Sequence, residues 1–171
     1  MFSNLDKFIK TNPTFEDWLN KLEDCGGDFF EEVTVADAKA HLPGDVYWPG
    51  GGDIIPSEKV DELKLSKCLS GGRNQTEGFD FIQIHNGIGI GYESKWFKYK
   101  DSISSGAIRN KTKAFDSTKL QRLIFCTNAS KVSYKALVFD DVGLMAKEYY
   151  YSKEVFQRVK ESHLIYLETF L

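Results

Sequence analysis

A chain of 171 residues that is 42% hydrophobic, 14% aromatic and 27% charged has the composition of one packed domain, which excludes wholesale disorder, a collagen-like repeat and a coiled coil. No run approaches the roughly 18 apolar residues of a membrane span, and the opening MFSNLDKFIK lacks the apolar region of a signal peptide, so an intracellular protein without a membrane partner is expected. Three cysteines, Cys25, Cys68 and Cys126, are odd in number and widely spaced, which argues against a disulfide framework and against a CxxC zinc site.

The net charge of −3 hides a steep division along the chain. Residues 1–93 carry 8 Lys/Arg against 17 Asp/Glu, residues 94–122 carry 8 against 2, and residues 123–171 carry 6 of each. Carboxylates upstream of a local basic block suit a site that holds a metal and a phosphate together; on charge alone, a solvated basic helical face is the competing reading.

In chain order, Phe8, Ile9, Phe15, Trp18, Leu19 and Leu22 make an apolar stripe interrupted at Asn12-Pro13, which predicts a helix over 14–24 with a weaker turn before it. Asp28 is placed to cap a second helix carrying Phe29, Phe30, Val33 and Ala36 to about residue 40. Pro43 to Pro56, with Pro49-Gly-Gly-Gly52, reads as a loop or insertion, and a helix from Ser57 to about residue 68 should end towards Gly71-Gly72. Further on, a helix over 102–114 capped by Ser102 or Ser104, a buried strand over 121–127, a helix from Ser130 to about 137, a strand through Met145 to Tyr151 and a last helix bearing Val155, Phe156, Val159, His163, Leu167 and Phe170 are expected.

Between them lies the clearest signal. Two β-rich runs flank Asn86-Gly87, the pair that best tolerates the positive φ angles of a type I′ hairpin turn. If His85 pairs with Ile88, then Ile84 meets Gly89, Ile82 meets Gly91 and Asp80 meets Glu93, with Lys95 on the same face as Glu93. Like charges directly opposed destabilise a sheet unless a cation or ammonium neutralises them, so Asp80, Glu93 and Lys95 stand out as a candidate site. Gly89 and Gly91 either open space beside these carboxylates or mark a bulge or helix packing. Trp96-Phe-Lys-Tyr-Lys100 interleaves aromatics with lysines, as base-stacking platforms do, although core packing is the commoner role of such a run. His85 points to the other face, His41 and His163 show no partner pattern, and no phosphate-binding Gly-x-x-x-x-Gly-Lys-[Ser/Thr] motif occurs.

A carboxylate at the start of one hairpin strand and Glu-x-Lys on the next resembles the PD-(D/E)xK nuclease superfamily: Gly78-Phe-Asp80 followed by Tyr92-Glu-Ser-Lys-Trp96 looks like its restriction-endonuclease-like core. Gly27-Asp-Phe-Phe-Glu31 is similar to a helix motif of Mrr-like and helicase-linked members, and the helix and strand downstream extend the likeness over residues 26–128. Phe79 stands where the superfamily's proline would be.

The resemblance implies an α/β fold with a central mixed β-sheet, an antiparallel catalytic hairpin and flanking α-helices. It implies one domain over 1–171, with a helical extension over 1–25 and a helical and strand segment over 129–171. It also implies Asp80, Glu93, Lys95 and Glu31 as catalytic residues, the three carboxylates holding Mg²⁺ or, in its place, Mn²⁺. Independently of the resemblance, Mg²⁺ prefers hard oxygen ligands and needs only one or two carboxylates plus substrate phosphate, and a lysine beside its water can stabilise charge on phosphorus. Lys98, Lys100, Arg109, Lys111 and Lys113 follow the catalytic strand, where a phosphate backbone would pass.

The function expected is an endonuclease acting on DNA, with a homodimer or linkage to a helicase or mobile-element protein as the wider setting. The alternatives are an inactive nuclease-like module that binds nucleic acid or a protein, and an RNA endonuclease.

Overall fold

Asn12, with φ at 53°, and Pro13 split the first apolar stripe into two helices, α1 (Ser3–Lys10) and α2 (Phe15–Glu23), in a computed structural model that describes residues 2–65, 79–98, 102–103, 105–132 and 142–169. At the start of α2, Thr14 and Asp17 form a reciprocal capping box. Helix α1 is fuller than the weak turn expected, and the reason lies 28 residues away. The buried carboxylate of Glu32 accepts the N–H groups of Asn4 at 3.0 Å and Leu5 at 3.4 Å, which have no partner inside the helix. Glu32→Ala should therefore lower stability by about 2 kcal/mol, the range for a hydrogen bond to a charged group. Urea unfolding measures it, and a variant as stable as the parent would refute the capping role.

Helix α3 (Gly26–His41) begins two residues before Asp28, with Cys25 at its N-cap, so Asp28 sits in the first turn, where an acidic side chain suits the positive helix end. The stretch expected as a loop contributes an edge strand, β1 (Asp45–Tyr47), followed by a 3₁₀ turn at Pro49–Gly51 and the short helix α4 (Ser57–Glu62). Helix α4 stops at Glu62, short of the expected residue 68: Lys64 takes a left-handed φ of 52° and the Leu65 N–H returns to the Val60 carbonyl at 2.9 Å, which closes the helix end. Cys68 and Gly71-Gly72 lie outside the described residues.

The hairpin has the expected register. Strands β2 (Phe81–His85) and β3 (Ile88–Lys95) pair His85 with Ile88, Ile84 with Gly89 and Ile82 with Gly91, and Asn86 and Gly87 have φ angles of 52° and 77°. After β3 come the short β4 (Ser102–Ile103), α5 (Ser105–Asp116), β5 (Arg122–Thr127) and β6 (Lys131–Val132). The chain continues through β7 (Val142–Met145), α6 (Lys147–Tyr150) and α7 (Lys153–Thr169).

Five strands form a mixed sheet in the order β1-β2-β3-β5-β7, antiparallel across β1, β2 and β3 and parallel across β3, β5 and β7; β4 and β6 pair separately. Ser102 lies in β4 rather than at a helix cap, and Ser104 is outside the described residues. Lys131 and Val132 are extended rather than helical, and residues 133–137 fall outside the description. The strand expected to reach Tyr151 stops at Met145, where α6 takes over. Phe170 is likewise outside the described residues.

Strand alternation sends side chains into two cores. On one face, Phe81, Tyr92 and Cys126 pack with α3, α1, α2 and α7; on the other, Ile82, Ile84, Leu123 and Phe125 pack with Leu63, Phe79, Phe115 and Leu120. The glycines on this second face serve that packing rather than an open space: a Cβ at Gly89 would lie 2.8 Å from side-chain carbons of Leu63 and Leu120. Both histidines without a sequence pattern find partners, His163 with Asp6 and His41 with Asp37. Asp37, fully buried, also accepts from Arg158 Nε at 2.7 Å and Tyr149 Oη at 2.6 Å, which ties α3 to α6 and α7. Among the described residues, no helix is long and apolar enough to cross a membrane.

Candidate active site

The site forms where the β2–β3 ladder ends. Phe81 and Tyr92 are the last paired residues, and Asp80 occupies a bend immediately before them, its N–H donating to the Tyr92 carbonyl at 3.0 Å. Strand pairing thus stops one residue short of the expected Asp80–Glu93 pair. The Asp80 carboxylate instead reaches across to β3, where Oδ2 accepts the Ser94 N–H at 2.7 Å. Ser94 Oγ is 2.6 Å from Thr34 Oγ1 of α3, and the Thr34 hydroxyl also donates to the Glu31 carbonyl at 2.7 Å. These bonds fasten the helix turn carrying Glu31 to the strand carrying Glu93.

Glu31, named as a site residue from the helix motif, is brought to Asp80. Its carboxyl is pushed up to about 8, first by burial and then by the charge of Asp80 and a hydrogen bond shared with it. Trp48 opposes this shift, its indole N–H donating to Glu31 Oε2 at 3.1 Å. The Pro49–Gly52 turn folds over that indole so closely that a Cβ on Gly51 would lie 2.2 Å from the ring, a position only glycine can fill. The stretch that reads from sequence as a loop or insertion therefore supplies a wall of the site, and nothing in its composition signals that.

Glu93, only 4% exposed, is the deepest of the three carboxylates. Burial and the charge of Asp80 push it up to about 7, while Lys111 and Lys95 pull it down. Lys95 Nζ stands 3.5 Å and Lys111 Nζ 3.4 Å from the same oxygen, Oε1. The other oxygen, Oε2, is buried and has no hydrogen-bond partner among the described residues.

Lys111 departs from its expected place on a phosphate path, because its side chain is 6% exposed and turned inward to Glu93. A signal for this was present: Ile108, Lys111, Thr112 and Phe115 fall at i, i+3, i+4 and i+7, so Lys111 lies on the apolar stripe of α5. Of the other basic residues, Lys98 is exposed with Nζ 3.9 Å from Asp24, Lys113 is exposed, and Lys100 and the side chain of Arg109 lie outside the described residues. Trp96 joins the first core and donates its indole N–H to the Leu22 carbonyl at 3.1 Å, and Phe97 packs against the second, so this aromatic pair is core material rather than a stacking surface.

The donors gathered here are hard carboxylate oxygens, the ligand type that suits Mg²⁺ and Mn²⁺. Among the described residues, no three His, Cys, Asp or Glu side chains stand together at metal-ligand spacing. The fit to a divalent cation rests on two observations: a buried carboxylate oxygen lacks a partner, and burial together with the charge of Asp80 raises two carboxyls, a strain that added positive charge would relieve. No protein-family model, curated protein or solved structure matches the chain.

Proposed function

We propose that the chain is a metal-dependent nuclease that hydrolyses phosphodiester bonds of DNA, built on a restriction-endonuclease-like core. The observation that carries this reading is the convergence of Glu31, Asp80, Glu93 and Lys95 at one end of the hairpin, with an oxygen of Glu93 left unsatisfied. The order helix, hairpin, helix, parallel strand also supports it, since α3, β2–β3, α5 and β5 are the elements on which the resemblance rests.

Asp80 and Glu93, with Glu31 beside them, would hold Mg²⁺ or Mn²⁺. When bound, such a cation supplies Lewis-acid stabilisation of a phosphoryl oxygen. Lys95, half-exposed at the end of β3, is placed to orient the attacking water and to stabilise the charge that builds on phosphorus. Hydrolysis forms one P–O bond from that water and breaks another to the leaving sugar oxygen, which takes up a proton. The exposed Lys98 and Lys113, with Lys100 and Arg109, would carry the phosphate backbone away from the site.

The test is incubation with labelled duplex and single-stranded DNA and RNA in Mg²⁺, Mn²⁺ or EDTA. Cleavage of DNA that EDTA stops is the expected result, and cleavage confined to RNA would move the assignment to an RNA endonuclease. A second reading is favoured by Lys111, which already neutralises Glu93 from within the fold: a nuclease-derived module that binds nucleic acid without cutting it. Tight binding with no cleavage in either metal would establish that reading instead. Neutralising Lys98, Lys100 and Lys113 together should weaken binding of all sequences and flatten its salt dependence, by about 0.9 in the log–log slope for each lost phosphate contact. An unchanged slope would mean that the nucleic acid travels elsewhere.

A further inference from the structure

We propose that Lys111 is a positioning residue: it is the standing counter-ion of Glu93, and by holding that carboxylate it frees Lys95 to reach the scissile phosphate. The inference rests on the hydrolytic reading of the same site. Both ammonium groups stand on Glu93 Oε1, at 3.4 and 3.5 Å, but their surroundings differ. The Lys95 side chain is 36% exposed at the last residue of β3, so it keeps both solvent and rotamer freedom. The Lys111 side chain is 6% exposed in the body of α5, on the side of the helix that also buries Thr112 and Phe115, and has neither.

Movement of Lys95 towards a phosphate would strand a buried carboxylate if Lys95 were its sole partner, and an uncompensated buried charge is strongly destabilising. Lys111 prevents this. Because both lysines meet Oε1, the carboxylate is anchored through one oxygen while Oε2 keeps its unmet bonding capacity. A lysine that bound the phosphate backbone would need exposure, and Lys111 lacks it.

Kinetics in Mg²⁺ on the preferred nucleic acid, with the salt dependence of binding measured in EDTA, separate the two roles. Lys111→Met should lower kcat by about 10- to 100-fold, as misplacement of a catalytic group does, and leave KM within about threefold and the salt slope unchanged. Lys111→Arg, which keeps the charge, should recover most of the lost rate. A raised KM with a slope flattened by about 0.9 would show a phosphate contact, and that result or an unchanged kcat would overturn the proposal.

Double-mutant cycles read by urea unfolding in EDTA give an answer independent of activity. Coupling of Lys111→Met with Glu93→Gln should change the unfolding constant by about tenfold or more, and coupling of Lys95→Met with Glu93→Gln by less than about threefold. A Lys95 coupling as large as that of Lys111 would overturn the counter-ion assignment. Should Lys111→Met alone be too unstable to assay, recovery of folding in the double variant with Glu93→Gln supports the pairing, and failure to recover opposes it. If the parent cuts no nucleic acid, the hydrolytic reading falls, while the cycles still decide which lysine holds Glu93.

Discussion

Asp80→Asn and Glu93→Gln should each lower single-turnover cleavage of DNA by at least about 10³-fold, equivalent to roughly 4 kcal/mol of lost transition-state stabilisation. Either change removes a negative oxygen ligand while keeping side-chain size, and the amide oxygen that Asp80→Asn introduces can still accept the Ser94 N–H. The two variants should differ in stability. Asp80→Asn removes the charge that adds to burial in raising both Glu31 and Glu93, so without a cation it should be as stable as the parent or more so. Glu93→Gln instead leaves the buried ammonium of Lys111 without its carboxylate, and its melting temperature should fall. Lys95→Met should also lose most turnover but keep cation-dependent stabilisation, since its expected partners are water and phosphate. Both carboxylate variants cutting at the parent rate would end the hydrolytic assignment.

Those residues were legible because strand pairing is a short-range code. One Asn-Gly turn sets the register, and period-two alternation then places Glu93 and Lys95 on one face with no knowledge of the rest of the fold. What escaped the sequence depends on contacts between distant segments. Glu32 is adjacent to Glu31 and alike in sequence, yet while Glu31 turns to Asp80 as the helix motif implies, Glu32 caps a helix 28 residues before it. Trp48 reaches Glu31 because a stretch rich in glycine and proline makes an edge strand and a tight turn, and its composition reads as a loop either way. Charge alone groups Lys111 with its basic neighbours, whereas its position on the apolar stripe of α5 decides where it points. The two glycines of β3 could mean open space or close packing, and only the leucines opposite distinguish these.

Cation binding should stabilise the fold more at pH 8 than at pH 5, and the sign follows from the two raised carboxyls. Glu31 is pushed up to about 8 and Glu93 to about 7, against roughly 4.3 for a glutamate in the unfolded chain. A group whose pKa is raised by folding makes its full contribution to stability below the unfolded value and loses it as pH rises through the folded value. Without a cation, the share of stability due to these two groups should therefore decline from about pH 4 to pH 8. Because every carboxylate of the chain acts on the same curve, the difference between variant and parent is the informative quantity. Glu31→Gln, which keeps an oxygen for the Trp48 N–H, should match the parent near pH 4.5 and exceed it at pH 8. The gain should be about 1 kcal/mol after discounting for solvent at this half-buried side chain, or roughly 2–4 °C in a chain of this length. Mg²⁺ or Mn²⁺ at 100 times its dissociation constant should stabilise the parent by about 2.7 kcal/mol at pH 8. At pH 5, where protons compete for the same oxygens, that stabilisation should largely vanish, as it should in Asp80→Asn at either pH. Thermal melts at the two pH values, with and without EDTA, measure all of these. A cation effect that is independent of pH, or that survives in Asp80→Asn, would place the ion away from these carboxylates.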